Sequence, residues 1–322
     1  MLETLRLVRG AVSSKDLVPM LTHFCVYDGR IQGANGFLCI DAICPGLEGD
    51  FAVPAERFLK AVDACAGEPK IVTDAGKVIV SRGKFRAKMA SHPRSVYPAH
   101  DEPERTAENA VALGGDIIAA LRAVRDFIGV DASRRWSMSA KAFGGWLYAT
   151  NNVSAVRVPL DTSRPVVFPS YLIDELLRNG VEPDATWATE HYIACDFPGW
   201  WVRASFAHDQ WPDIDQHFDR AFDGAEIVPV PPGLLDAVEM VAPLSSDLKA
   251  PEIWFADGKV TTPDGDHAAE VEGFDLPEGR YRLEPLRLAL KHAHGVDFTR
   301  YPGAIPFTND DIGLQGVFVG VR

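Results

Sequence analysis

Apolar positions along this chain recur in a fixed order: a short alternating run, a proline, then a stretch with apolar residues at helical spacing. The first instance is FAVPAERFLKAV, where Phe58, Leu59 and Val62 follow Pro54. The second is VVFPSYLIDELL, with Leu172, Ile173, Leu176 and Leu177 behind Pro169, and the third is YRLEPLRLALKHA, with Leu286, Leu288 and Leu290 behind Pro285. Proline suits the first turn of a helix, where its missing N–H would have no partner. Each instance therefore predicts a strand, a sharp turn and an amphipathic helix. The three prolines lie about 115 residues apart. Pro98 and Pro212, each behind an aromatic residue, keep almost the same interval, and segments near Lys15, Arg122 and Leu235 open the three stretches. The pattern predicts three tandem copies of one domain, covering 1–106, 107–224 and 225–322.

Within the first copy, alternation at Leu5 and Leu7 predicts an edge strand, and Ser13 or Ser14 is placed to cap a helix carrying Leu17, Val18, Met20 and Leu21. Strands are predicted at 24–27, 30–34 and 37–42, divided by Asp28-Gly29 and Asn35-Gly36 turns, and again at 70–73, 78–81 and 84–89 after the central helix. The second copy repeats the plan with a helix over 115–128, hairpins over 136–148 and 155–159, and strands at 186–189, 192–196 and 200–206. The third shows strands at 253–255, 259–262 and 314–321. Polar linkers are expected at 99–108 and 218–226. Two rounds of strand, helix and three strands per copy give an α+β fold with two helices against one face of the sheet.

Composition narrows the function. No apolar run approaches the ~18 residues of a membrane span, and MLETLRLVRG lacks the apolar block of a signal peptide. A cytoplasmic protein without a membrane partner is expected. Cys25, Cys39, Cys44, Cys65 and Cys195 are odd in number and contain no CxxC pair, which points to buried reduced thiols. The phosphate-loop, dinucleotide, nucleophile-elbow and zinc-protease signatures are all missing. Asp209, Asp213 and Asp215 read as a solvated loop, and His292 and His294, two apart, do not share a helix face. No catalytic residue, metal or cofactor is expected. Of the adjacent Trp200 and Trp201, one should enter the core.

The net charge of −13 excludes a protein coated in basic residues. The predicted helices carry eight cations and nine anions, so most of the negative charge falls on strands and loops. Arg57 with Lys60, Arg122 with Arg125, and Arg287 with Lys291 can each share a helix face, and Arg178 sits on the helix between. These are either ordinary solvated faces or a phosphate-facing helical surface inside an acidic shell.

Several segments, in their order, spacing and threefold recurrence, resemble the bacterial sliding clamp family, the β subunit of the replicative DNA polymerase. They are AVSSKDLVPMLTHFCV, VPAERFLKAVDACAG followed by SRGKFRAKMASHPRSVYP, YATNNVSAVRVPL, FPSYLIDELL followed by SFAHDQWPDI, and VFVGVR. The resemblance covers nearly the whole chain, which is somewhat short for the family, as in a divergent, phage-encoded member. It implies a non-enzymatic processivity factor: a head-to-tail homodimeric ring of six domains, twelve helices lining a hole, and duplex DNA sliding through it. It also implies partners, a DNA polymerase and a clamp loader, which bind through short linear peptides.

By position, Lys15 and the loop 131–136 match family segments that touch DNA. Arg134, Arg135 and Trp136 have suitable chemistry, although Trp136 reads equally as a core residue. The resemblance places the peptide pocket at Thr150, Asn152, Ser154, Ala155, Val317, Val319, Gly320 and Val321. Here Asn151-Asn152-Val153-Ser154 stands where the family commonly has Asp-Gly-His-Arg, and Gly320-Val321 replaces a proline-methionine pair. The subunit contact would bring Lys84, Phe85, Ala87 and Met89 against the region of Leu244 in a second chain. Two other readings stand beside this one: a triplicated scaffold ring that does not bind DNA, and a hydrolase with an acidic site around residues 209–215.

Overall fold

A computed structural model of the chain describes residues 1–15, 17–206, 210–245, 250–272 and 276–321. Helix α1 (Leu2–Arg9) opens the chain, followed by β1 (His23–Tyr27), β2 (Arg30–Ala34), β3 (Leu38–Ile43), β4 (Phe51–Pro54) and α2 (Ala55–Asp63). Then come β5 (Lys70–Asp74), β6 (Lys77–Arg82), β7 (Phe85–Ala90), β8 (His92–Pro93), β9 (Ala110–Val111), β10 (Leu113–Gly114) and α3 (Ile117–Val124). The middle of the chain holds β11 (Ser139–Phe143), β12 (Trp146–Thr150), β13 (Ser154–Pro159), β14 (Asp161–Thr162), β15 (Val166–Pro169), α4 (Ser170–Asn179), β16 (Ala185–Ala188), β17 (Tyr192–Phe197) and β18 (Trp200–Ser205). The remainder is α5 (Asp215–Phe222), β19 (Val228–Pro229), α6 (Leu234–Val241), β20 (Glu252–Ala256), β21 (Lys259–Thr261), β22 (Ala268–Glu270), β23 (Gly279–Arg282), α7 (Leu283–His292), β24 (Gly295–Val296), β25 (Ala304–Asn309) and β26 (Leu314–Val319).

These elements form two compact units, Met1–Leu113 with Tyr171–His208, and Gly114–Ser170 with Asp209–Arg322. The first contains a sheet in the order β8-β4-β1-β2-β3-β18-β17-β16-β9 and a separate sheet β5-β6-β7. The second contains β15-β11-β12-β13-β26-β25-β24-β19 and β22-β21-β20-β23. Two motifs recur. A four-strand motif appears as β4-β1-β2-β3, β15-β11-β12-β13 and β23-β20-β21-β22, and a three-strand meander as β5-β6-β7, β16-β17-β18 and β24-β25-β26, each preceded by a helix. The last strand of a meander joins the last strand of a four-strand motif: β18 lies antiparallel on β3, with Val202 opposite Ile40, and β26 on β13, with Val317 opposite Ala155.

The proline-led helices bury the stripe their spacing predicts: Phe58 and Val62 in α2, Leu172, Ile173 and Leu176 in α4, Leu286 and Leu290 in α7. Pro54 and Pro169 end the preceding strand, whereas Pro285 sits within the first turn of α7. All five cysteines are buried and free, and Trp201 is buried while Trp200 stacks on Phe197 at 3.9 Å. No helix among the described residues is long and apolar enough to cross a membrane.

Three expectations are overturned. The predicted edge strand at Leu5 and Leu7 is helix α1, because Leu5 and Val8, with Val12 beyond the helix end, form a buried stripe at helical spacing that prevails over the shorter alternation. The helix expected from Ser13 or Ser14 does not form; Pro19 opens a single 3-10 turn, Pro19–Thr22, and Leu17 is 88% exposed. The linker expected at 218–226 is largely helix α5, anchored by Phe218 at 0% exposure. The predicted helix over 115–128 is also shorter, α3 passing into a 3-10 turn at Arg125–Phe127.

A buried polar network secures the segment after β8. Asp41 is fully buried on β3 and accepts hydrogen bonds from Arg30 Nε at 2.5 Å, from Gln32 Nε2 at 3.1 Å and from the Tyr27 hydroxyl. Gln32 in turn donates to the His100 carbonyl at 3.0 Å and accepts from its amide at 2.9 Å. Burial pushes the Asp41 carboxyl above its ordinary range despite these donors.

Candidate nucleic-acid and peptide interfaces

Packing decides how the helical cations present themselves. In the first unit, α1 and α2 pack together, and Arg6 pairs with Asp63 at 3.1 Å and Arg9 with Glu56 at 2.6 Å. Arg57 and Lys60, three apart on the exposed side of α2, make no ion pair among the described residues. Arg178 on α4 grips the buried Glu175 carboxylate and donates to the Leu7 carbonyl at 3.0 Å. Lys15 is exposed on a loop instead of a helix, its amide 3.2 Å from the Ser13 hydroxyl. Arg6 and Arg9 escaped the sequence reading because their segment was assigned to a strand.

In the second unit, Arg122 on α3 is exposed and makes no ion pair among the described residues. Arg125 lies in the 3-10 turn that follows. Asp126 in that turn receives Lys291 at 2.7 Å and His292 Nε2 at 3.0 Å, and the Lys291 hydrogen bond, with that from His292, holds its carboxyl below the ordinary range. Arg287 is clamped between Glu239 on α6 and Glu284, both at 2.7 Å. Sequence spacing placed Arg287 and Lys291 on one face but did not reveal the carboxylates that occupy them.

The loop 131–136 is braced from within. Asp131 accepts from the Ser133 amide at 2.9 Å and hydroxyl at 2.7 Å, and the Ser137 hydroxyl donates to the Arg134 carbonyl at 2.8 Å. Arg134 and Arg135 are exposed. Trp136 is half-buried, edge-on to Trp211 at 5.5 Å, and packs against the core. Part of its ring therefore stays accessible beside Arg134 and Arg135 while the rest packs on the core.

The residues of the expected peptide pocket come together where β13 meets β26. Ala155 lies opposite Val317, and Thr150 donates to the Ser154 carbonyl at 2.8 Å. Asn151 Oδ1 accepts from the amides of Val153 at 3.1 Å and Ser154 at 2.8 Å, and exposed Asn152 takes a left-handed φ of 72°. The NNVS segment is thus a self-contained turn. Gly320 faces the Tyr301 ring, where an added Cβ would stand 2.6 Å from a ring carbon, and Tyr301 donates to the Val321 carbonyl at 2.7 Å. Val319 is 45% exposed.

Sequence reading missed what lies on this face. Trp211, Ile214, Phe218 and Ala221 pack with Tyr148 and Val317, and Ala155, Trp136 and Phe222 close in around them. The Arg157 guanidinium stacks over Trp146 at 4.6 Å and Phe218 at 4.7 Å, and reaches Asp215 at 3.4 Å. The Tyr148 hydroxyl donates to the same Asp215. Its pKa is raised, first by burial and then by that carboxylate. Helix α5 therefore covers the apolar patch of Ala155 and Val317, leaving Asn152 and Val319 at its rim. The signal was present as Ile214, Phe218 and Ala221 at helical spacing, obscured by the surrounding Asp residues.

The expected subunit contact falls on β7. Phe85 is 37% exposed, Met89 is buried, and Lys84 and Ala87 lie on the same hairpin. Among the described residues β7 pairs only with β6, so its outer edge is open. Leu244, 53% exposed, lies in the 3-10 turn Ala242–Ser245 after α6. The open edge in that part of the chain is β22, a strand the sequence reading did not identify.

No sequence-family model matches this chain, and no protein of curated function matches it by sequence. Solved structures do. A Pseudomonas aeruginosa DNA polymerase III subunit beta sliding clamp bound to griselimycin superposes with a TM-score of 0.77 at 18% identity, covering 100% of this chain and 97% of that one. The C. crescentus beta sliding clamp gives 0.81 at 16% identity over 100% and 96%. The Bacillus subtilis clamp gives 0.79 at 17% identity over 100% and 96%. From its first residue to its last, this chain has the α+β fold of the bacterial DNA polymerase III β sliding clamps.

Proposed function

We propose that this protein is a DNA sliding clamp, a processivity factor and not an enzyme, built as a head-to-tail homodimer of three-domain chains with domains at 1–106, 107–224 and 225–322. The observation that carries the proposal is the repeated joint. Twice the last strand of a meander closes on the last strand of a four-strand motif, β18 on β3 and β26 on β13. The same rule leaves β7 and β22 over, one of each kind. Pairing β7 of one chain with β22 of the next satisfies both edges, and two chains joined twice make a closed ring without exposed edges at its joints.

Duplex DNA passes through such a ring. Arg57, Lys60, Arg122, Arg134 and Arg135 offer cations without base-reading geometry, which suits sliding. Arg178, Arg287 and Lys291 are held by carboxylates. Exposed ion pairs contribute only about 0–1 kcal/mol, so the exposed pairs of Arg287 and Lys291 can open to a phosphate at small cost. A polymerase and a clamp loader would dock through short peptides at the rim formed by Asn152, Val319, Gly320 and Val321. The protein would act in the cytoplasm.

Sedimentation equilibrium combined with retention on DNA tests the proposal. A mass twice the 35.2 kDa of one chain is expected, with retention on loaded circular DNA that is lost when the circle is cut. Reversing Arg122, Arg125 and Arg135 to Glu should reduce retention. A monomer at micromolar concentration, or equal retention on cut and closed DNA, would exclude a clamp and favour the scaffold reading.

A further inference from the structure

Cations on the helices fall into two classes. Arg57 and Lys60 on α2 and Arg122 on α3 make no ion pair among the described residues. Arg6, Arg9, Arg287 and Lys291 each lie against a carboxylate supplied by a different helix or its adjoining turn. Arg6 and Arg9, three apart on α1, meet Asp63 at 3.1 Å and Glu56 at 2.6 Å on α2. Arg287 on α7 meets Glu239 on α6 and Glu284 on its own helix, both at 2.7 Å. Lys291 meets Asp126, in the turn after α3, at 2.7 Å. Both compact units therefore repeat the arrangement, and the partners from different elements stand 47 to 165 positions apart in the chain.

Exposure decides which of these pairs can open. The Glu56 and Asp63 side chains are both 56% exposed, that of Glu239 47% and that of Asp126 41%. Water can solvate each of these carboxylates when its cation leaves, so parting them costs little. Arg178 provides the contrast. Its partner Glu175 is 5% exposed, also accepts from Asn179 at 2.8 Å, and would be left as a buried charge without its counter-ion. Arg178 is therefore fixed, whereas the other four cations are held by partners that can exchange.

The competitor for such cations is a phosphate. Neutralising one phosphate of duplex DNA with a bare cation releases about 0.9 counterion, which is the origin of salt-dependent binding. A cation that arrives with its carboxylate 2.6 to 3.1 Å away brings almost no net charge to the duplex and releases almost none. Paired and unpaired helix cations thus differ in what they contribute: the first class closes on a phosphate only by giving up its carboxylate.

We propose that Glu56, Asp63, Asp126 and Glu239 are built-in competitors of the DNA backbone, which hold Arg9, Arg6, Lys291 and Arg287 as neutral pairs and thereby keep the grip on duplex weak and its salt dependence shallow. Resting on the clamp reading, this assigns four acidic side chains a part in sliding. A contact forms when a phosphate takes a cation from its carboxylate, and it ends when the carboxylate takes the cation back.

The test is equilibrium binding of a fluorescently labelled duplex of about 30 base pairs to the full chain, followed by anisotropy from about 50 to 200 mM NaCl. Glu56→Gln combined with Asp63→Asn leaves Arg6 and Arg9 bare, and should steepen the slope of log affinity against log salt by about 1.8 per chain engaged. Binding at the low end should tighten, and the advantage over the parent chain should shrink at least about tenfold across the range. Asp126→Asn, which bares Lys291 in the other unit, should steepen the slope by about 0.9. Asp74→Asn combined with Asp257→Asn removes the same amount of charge at two hairpin ends and should leave slope and affinity at their parent values. If the parent chain binds duplex but neither helix variant changes its slope, or the hairpin control shifts it equally, the proposal alone is overturned. No duplex binding by any of these chains would overturn the clamp reading together with it.

Discussion

Phe218→Ala probes the least expected contact in the chain, the seating of α5 on the sheet. Phe218 is fully buried, its ring edge-on to Tyr148 at 6.0 Å and close to Phe222 at 6.5 Å, with the Arg157 guanidinium 4.7 Å from its centre. Truncating a fully buried phenylalanine costs about 3–5 kcal/mol through lost burial and the cavity left behind. The stacked cation loses one of its two rings and adds to that figure. Unfolding followed by tryptophan fluorescence suits the assay, because Trp136, Trp146 and Trp211 all belong to this cluster. The midpoint for the unit containing α5 should fall by roughly 6 °C or more. A second readout follows: α5 should loosen and expose Val317 and Ala155, so a clamp-binding peptide should bind the variant more tightly than the parent chain. A loss below about 1 kcal/mol with unchanged fluorescence would show that α5 is not held by Phe218, and the account of a covered face would fail.

Other expectations are narrower. Arg287→Ala should change stability by less than about 1 kcal/mol in urea unfolding, because its carboxylate partners are solvent-exposed. Asp126 has a folded-state pKa below its ordinary value, so its contribution is present above the unfolded carboxyl range and disappears as pH falls through the lowered value. The stability gap between the parent chain and Asp126→Asn should therefore be widest near neutral pH and close between roughly pH 5 and pH 2; a gap that widens in acid would contradict the pairing. Lys88→Pro removes an N–H on the open side of β7 and should convert a dimer into a 35.2 kDa monomer by sedimentation while the β6–β7 hairpin persists.

Local periodicity made most of the elements legible. Proline followed by a wide apolar stripe located α2, α4 and α7, and turn dipeptides such as Asp28-Gly29 located the hairpins. Reading failed where two periods competed over few residues. At Leu5, Leu7 and Val8 an alternating pattern and a helical one overlap, and only burial of Leu5 and Val8 decides between them. Near 218 the acidic residues of α5 outweighed its apolar stripe. The site was less legible than the fold for another reason. Lys291 and Arg287 are identifiable as cations from sequence, but their neutralisation by Asp126 and Glu239 depends on partners 165 and 48 positions away. The Asp41 network eluded the sequence reading for the same reason, since it joins Arg30 and Tyr27 across a sheet.

The joints at β3–β18 and β13–β26 are made of main-chain hydrogen bonds. Backbone amides are common to nearly every residue type, so such a seam imposes an alternation of inside and outside but hardly any particular amino acid. Mutation can replace almost all the side chains flanking it without unfastening it. That tolerance accounts for an architecture shared along the full length with proteins only 15–18% identical, while sequence comparison alone detects no kinship.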